Sequence, residues 1–195
     1  MANTVETAGN EEKLGQDPAK DDLLILVDEA DRPVGTAPKE RVHREGLLHR
    51  AFSIVLWREG PDGPEVLLSR RAACKYHSAG LWTNSCCSHP RSGEETIGAA
   101  ARRIREELGC TVCGLQEIGA FVYRANFAAG LVEHEYDHVL LSCYEGDFEP
   151  NPDEIDAVRW ISADALSEEL LQAPEHFTAW APRVLSMALQ SIQFR

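Results

Sequence analysis

The chain has no long apolar run: nowhere in its 195 residues do the ~18 consecutive apolar side chains of a membrane-crossing helix occur. Residues 1–22 lack the apolar stretch of a secretory signal. They also hold few large apolar side chains, so they are expected to form a disordered acidic tail ahead of one domain over 23–195. Lysine is scarce. Only Lys13, Lys20, Lys39 and Lys75 stand among 19 basic residues, against 32 acids, and the net charge is −13. The tail, with six acids and two lysines, carries −4 of that and leaves −9 on the remainder. A field of this sign repels nucleic acid and anionic membranes, so neither is expected as a partner. An anionic ligand would need a local basic cluster or a metal ion. With no export signal, the six cysteines argue for reduced thiols in a cytoplasmic protein, not for a disulfide frame. Cys110 and Cys113 have the spacing of half a zinc site, but no second pair accompanies them, so they read as packing residues.

What is present is the composition of a soluble globular protein, 44% apolar and 26% charged. The apolar run at 23–27 reads as a strand that ends in a turn over 28–33. Residues 38–48 allow a short helix with Pro38 near its start. Strands are expected at 52–57 and 66–69, joined by the Gly/Pro/Asp-rich connection at 60–64. Ile97, Ala100, Ala101, Ile104 and Leu108 recur at helical spacing, which predicts a helix over 94–108 stopped by Gly109. Further strands are expected at 119–127, 132–144 and 158–161, and helices at about 163–171 and 181–193. Strands interleaved with a few helices imply an α/β layered fold with a mixed sheet flanked by helices.

Three segments concentrate side chains of little use for packing: His43 with the run from His49 to Ser53, the run from Leu81 to Pro90, and Glu133-His134-Glu135. In a strand Glu133 and Glu135 share a face, and two adjacent carboxylates call for something positive nearby. His43, His49 and His89 could complete an N/O metal site suited to zinc or manganese, and five protein ligands would favour near-octahedral coordination. The bland alternatives are solvated glutamates on an edge strand and hydrogen-bonded histidines. In the 94–108 helix, Glu94, Arg102, Glu106, Glu107 and Gly109 fall at the spacing of the Nudix signature, whose acids gather around a divalent cation. Ser88 stands where that signature begins with glycine, and Arg103 stands where it has a glutamate. An arginine there argues against diphosphate hydrolysis. It lies one turn before Glu107, placed to hold a phosphate oxygen while Glu107 holds an ion. The plain reading of the same spacing is a surface i,i+4 ion pair.

Three motifs, Thr83-Asn84-Ser85-Cys86-Cys87-Ser88-His89-Pro90, Tyr123-Arg124-Ala125 and Glu133-His134-Glu135-Tyr136-Asp137-His138, together with the altered helix, resemble the type I isopentenyl-diphosphate isomerases over about residues 22–190. The resemblance implies a Nudix-like fold and transposition of a carbon–carbon double bond in a small isoprenyl diphosphate. It makes Cys87 the catalytic cysteine, Glu135 the catalytic acid across the substrate, and Tyr123 a hydrogen-bond partner near that carboxyl group. It assigns His43, His49, His89, Glu133 and Glu135 to one divalent ion (manganese, zinc or magnesium). Glu107 and the backbone carbonyl of Cys87 would help place a magnesium ion on the substrate diphosphate. Lys39, Arg71, Lys75 and Arg103 would contact the diphosphate, and Trp180 would face the hydrocarbon end. Chemically this is coherent: protonating an alkene makes a tertiary carbocation, which demands a dry pocket and is stabilised by an aromatic face. Two other readings predict different behaviour. A Nudix hydrolase would release phosphate, and a metal- or redox-sensing module would bind no five-carbon diphosphate.

Overall fold

The computed structural model describes residues 23–193; the acidic tail expected over 1–22 lies outside the described residues. The organising element is a 12-residue strand, β3 (His49–Gly60). Residues 54–57 are continuously apolar because both faces of this strand are covered. Phe52, Ile54 and Leu56 point to one side and pack with helix α2 (Thr96–Leu108), against Ala100, Ile104 and Leu108. Val55 points to the other and packs with helix α4 (Ala181–Gln193), against Val184, Leu185 and Ala188. The alternation is the period of two that a pleated strand imposes.

Strand β8 (Val132–Cys143) runs parallel to β3 along nine registered pairs, from His49↔Glu135 to Trp57↔Cys143. All other pairings between named strands are antiparallel. On the opposite side of β3 lie β1 (Leu23–Val27), β6 (Cys86–Ser88) and β4 (Gly63–Arg71) in turn. Beyond β1 is β2 (Pro33–Pro38). Beyond β4 are β5 (Trp82–Thr83) and β9 (Ile155–Ser162), and β7 (Gln116–Asn126) pairs with β8. Helix α1 (Lys39–Glu45) follows β2, and α3 (Ala163–Gln172) follows β9. This is an α/β architecture, a mixed nine-stranded sheet flanked by four helices. Among the described residues no helix is long and apolar enough to cross a membrane.

Strand β2 differs from the sequence expectation of a turn running into a helix. It carries Pro33, Pro38 and Gly35, which weaken a strand signal, yet it is an edge strand, where missing N–H donors cost little. At the end of α2, Gly109 takes a left-handed conformation (φ 67°), and a Cβ there would collide with the backbone of Glu149. The close approach lets Glu149 and Asn151 donate backbone N–H groups to the carbonyls of Leu108 and Glu107, both at 2.9 Å. The last turn of α2 is thereby capped by the 149–151 segment.

Candidate active site

The face of the sheet shared by β3, β6, β7 and β8 carries the polar residues singled out above. Register explains why. Glu135 sits beside His49 of β3 and Tyr123 of β7, and Cys87 sits beside Ser53 of β3. Paired residues in neighbouring strands project to the same face, so the thiol and the carboxyl come from strands on opposite flanks of β3. Cys86, one residue earlier, turns to the other face and is buried in the α2 cluster. Cys87, Glu135, Tyr123 and Trp180 line one cavity of about 250 Å³, together with Lys39, Arg71, Lys75 and Arg103. Tyr123 Oη donates to Glu135 Oε2 at 2.6 Å. Burial pushes the Cys87 thiol up to about 12, so it carries its proton at neutral pH.

At one end of this cavity are three imidazoles and two carboxylates. His43 Nε2 lies 3.5 Å from Glu133 Oε2, and His49 Nε2 lies 3.9 Å from the same oxygen. His49 Nε2 is also 3.2 Å from His89 Nε2 and 3.5 Å from Glu135 Oε1, and His89 Nε2 is 2.9 Å from that oxygen. Ligand atoms of His43, His49, His89 and Glu133 all fall within 4.8 Å of one another, the one such grouping among the described residues. His43 Nε2 and Glu133 Oε2 are buried with no hydrogen-bond partner. Leaving such atoms unsatisfied costs about 1–3 kcal/mol each, and a cation between them removes that cost. Burial lowers the pKa of His43 to about 3 and of His89 to about 4, so both present lone pairs at neutral pH. Burial and the neighbouring Glu135 charge raise Glu133. Burial also opposes the charge of Glu135, but hydrogen bonds from His49 and His89 outweigh it and hold that carboxyl low. The donor set fits a divalent cation.

The basic end is tied into acids. Arg103 contacts Glu107 through two nitrogens and reaches Glu154 Oε1 at 3.1 Å, and Lys75 Nζ pairs with Glu154 Oε2. Lys39 lies over the Tyr76 ring at 5.4 Å, and Arg71 over the Trp180 ring at 5.5 Å. Burial lowers the pKa of Lys39 despite the nearby Glu133.

A NUDIX domain model matches residues 47–181. A curated Isopentenyl-diphosphate Delta-isomerase from Serratia proteamaculans is 46% identical over 160 residues, covering 82% of this chain and 87% of the relative. One from Photobacterium profundum is 45% identical over 174 residues, covering 88% and 97%. The chain belongs to the isopentenyl-diphosphate Delta-isomerase branch of the NUDIX family. A crystal structure from Deinococcus radiodurans superposes with a TM-score of 0.67 at 20% identity, covering 85% of this chain and 98% of that one, which supports the fold alone.

Glu107 is not among the cavity-lining residues; its buried carboxyl is engaged by Arg103 on the α2 side of the sheet. Glu154, in the segment before β9, anchors both Arg103 and Lys75 and was not singled out from sequence. Asp137 extends the row of acids on β8: it is buried, accepts from Ser53 Oγ at 2.8 Å, and burial raises its pKa. Tyr76 and His77, in the 72–81 connection between β4 and β5, also reach the site. Their signal was the consecutive Lys75-Tyr76-His77, a cluster of reactive side chains in a segment with no periodicity to flag it.

Proposed function

We propose that this chain converts isopentenyl diphosphate to dimethylallyl diphosphate, with Cys87 and Glu135 as the proton-transferring pair. The names of its close relatives support the reaction. One observation carries the residue assignment: a protonated thiol and a carboxyl group, on strands either side of β3, line a single cavity together with four basic side chains and Trp180. The reaction adds a proton to the terminal methylene carbon and removes one from the carbon on the far side of the branched centre. Two groups are therefore needed, and they exchange roles in the reverse direction. Tyr123 holds one oxygen of Glu135 and so fixes the direction in which that carboxyl faces. Trp180, in contact range of Tyr123 (ring centroids 6.3 Å apart), presents a π face to the positive charge that develops at the branched carbon.

Lys39, Arg71, Lys75 and Arg103 bind the diphosphate, which enters with its magnesium ion. Glu154, which lines the cavity beside Arg103, and the backbone carbonyl of Cys87 would supply oxygen ligands to that ion, with Glu107 joining them from behind Arg103. His43, His49, His89, Glu133 and Glu135 would hold a resident divalent ion (manganese, zinc or magnesium), which would supply positive charge beside the Glu135 carboxyl. Arg103 in place of the signature glutamate leaves the helix without the acid a hydrolase uses. All six cysteines are free, which suits a reducing compartment, and the cytoplasm is the proposed setting. Incubation with isopentenyl diphosphate and Mg²⁺ tests the proposal. An acid-labile allylic diphosphate should accumulate with no release of phosphate, whereas phosphate or a monophosphate ester would place the chain with the hydrolases.

A further inference from the structure

The residues that would hold the resident ion each have a far side, and two of those far sides end on one dipeptide. His43 turns Nε2 into the cluster and Nδ1 outward, where it lies 3.0 Å from Tyr76 Oη. Glu133 turns Oε2 toward His43 and Oε1 outward, where it lies 2.8 Å from His77 Nε2. His43 belongs to α1 and Glu133 to β8, so neighbouring residues of a third segment grip ligands from two separate elements. The His77 ring is fixed on its other sides. Its Nδ1 meets Ser78 Oγ at 3.1 Å, it stacks on Phe127 at 4.6 Å, and its edge meets Trp180 at 6.1 Å. With Nδ1 accepting from Ser78, Nε2 carries the hydrogen and donates to Glu133. With His43 Nδ1–H donating to Tyr76, the Nε2 lone pair is left facing Glu133 Oε2. These tautomers are the ones that leave the His43 Nε2 lone pair for an ion.

We propose that Tyr76 and His77 are positioning residues that clamp His43 and Glu133 from outside the ion site, so that ion binding and closure of the 72–81 segment are one event. The inference rests on reading His43, His49, His89 and Glu133 as an ion site. Partners of this kind orient the ligand atom and raise its basicity. Here they do more, because Lys75 directly precedes the clamp and faces the proposed diphosphate end. Fixing Tyr76 and His77 fixes the base of the Lys75 side chain, and by reciprocity whatever orders Lys75 strengthens ion binding. Lys39, packed on the Tyr76 ring, joins a second basic group to the same clamp.

The test uses full-length protein, no substrate, and Mn²⁺ as the probe, with free Mn²⁺ read by electron paramagnetic resonance. Tyr76→Phe removes only the hydroxyl, and His77→Phe keeps a ring on Phe127 but loses the donor. Each should weaken Mn²⁺ binding by about 10- to 100-fold, and His77→Gln, which restores an N–H, should recover much of that loss. Amide exchange gives the second readout: Mn²⁺ should slow exchange across 72–81 in the wild type and have little effect there in the two Phe variants. A purely structural role would lower the melting temperature of the ion-free protein without changing the response to Mn²⁺. If the Phe variants bind Mn²⁺ as tightly as the wild type, the clamp is wrong and the ion site stands. If the wild type itself binds no Mn²⁺, both fall.

Discussion

Cys86 and Cys87 are adjacent in sequence and opposite in consequence, so replacing each with alanine gives a crossed pair of effects. Cys86 is buried among Ala100, Ile104 and Leu140 on the α2 face and does not itself line the cavity. Removing its sulfur leaves a void about the size of a methylene group and should cost about 1 kcal/mol of stability. For a chain of this length that is a fall of about 2–4 °C in melting temperature. Its kcat should stay within about threefold of the wild type, since its side chain lies outside the cavity. Cys87 lies on the opposite face and lines the cavity. Cys87→Ala removes a proton-transferring group and should lower kcat by at least ~10³-fold, about 4 kcal/mol at the transition state, with a smaller effect on melting. Steady-state kinetics and calorimetry on both variants decide the matter. An active Cys87→Ala protein, or a Cys86→Ala protein that melts normally but has lost its rate, would refute the face assignment.

Other perturbations probe the remaining parts of the cavity. Trp180→Phe keeps a π face and should retain activity, whereas Trp180→Leu should lose about 2 kcal/mol of cation stabilisation; equal rates would remove the aromatic argument. Arg103→Glu should raise KM sharply and add no hydrolysis, because it sets a third acid beside Glu107 and Glu154; brisk phosphate release would contradict the reading of α2. His43 and His89 titrate near 3 and 4, below the ordinary 6.5, because burial disfavours their charged forms. At these two rings protons therefore begin to compete with the ion only in more acidic solution. Metal content after equilibrium dialysis should hold level from neutral pH to about 5 and fall below it. A midpoint near 6.5 would mean that these rings are not the ligands.

Periodicity carried most of the architecture. Helix α4 and strand β1 have the limits their apolar patterns indicate, and the period of two put Glu133 and Glu135 on one face. Register was less legible. The apolar run suggested a strand beginning at residue 52, but β3 begins at His49, and that first pair is what sets the imidazole beside Glu135. Pairing is a property of two segments far apart in sequence, so neither segment announces it alone. Strands β5 and β6 are two and three residues long, too short to show a period, and their backbone is held partly by side chains: Asn84 Nδ2 donates to Ile54 O and to Cys86 O. Tyr76, His77 and Glu154 were missed for the same reason: loop residues lack a pattern, and their roles follow only from what the fold brings against them.

Deuterium incorporation tests the central claim, that double-bond transposition proceeds by proton transfer through exchangeable protein groups. Enzyme equilibrated in D₂O with Mg²⁺ is given isopentenyl diphosphate, and the recovered dimethylallyl diphosphate is examined by mass and NMR. A thiol and a carboxyl group exchange their protons with solvent between turnovers, so the product should carry deuterium in a methyl group, and Cys87→Ala should abolish its formation. Product formed at the wild-type rate with no deuterium would show that hydrogen moves within the substrate, and the proposed pair would have no part in it.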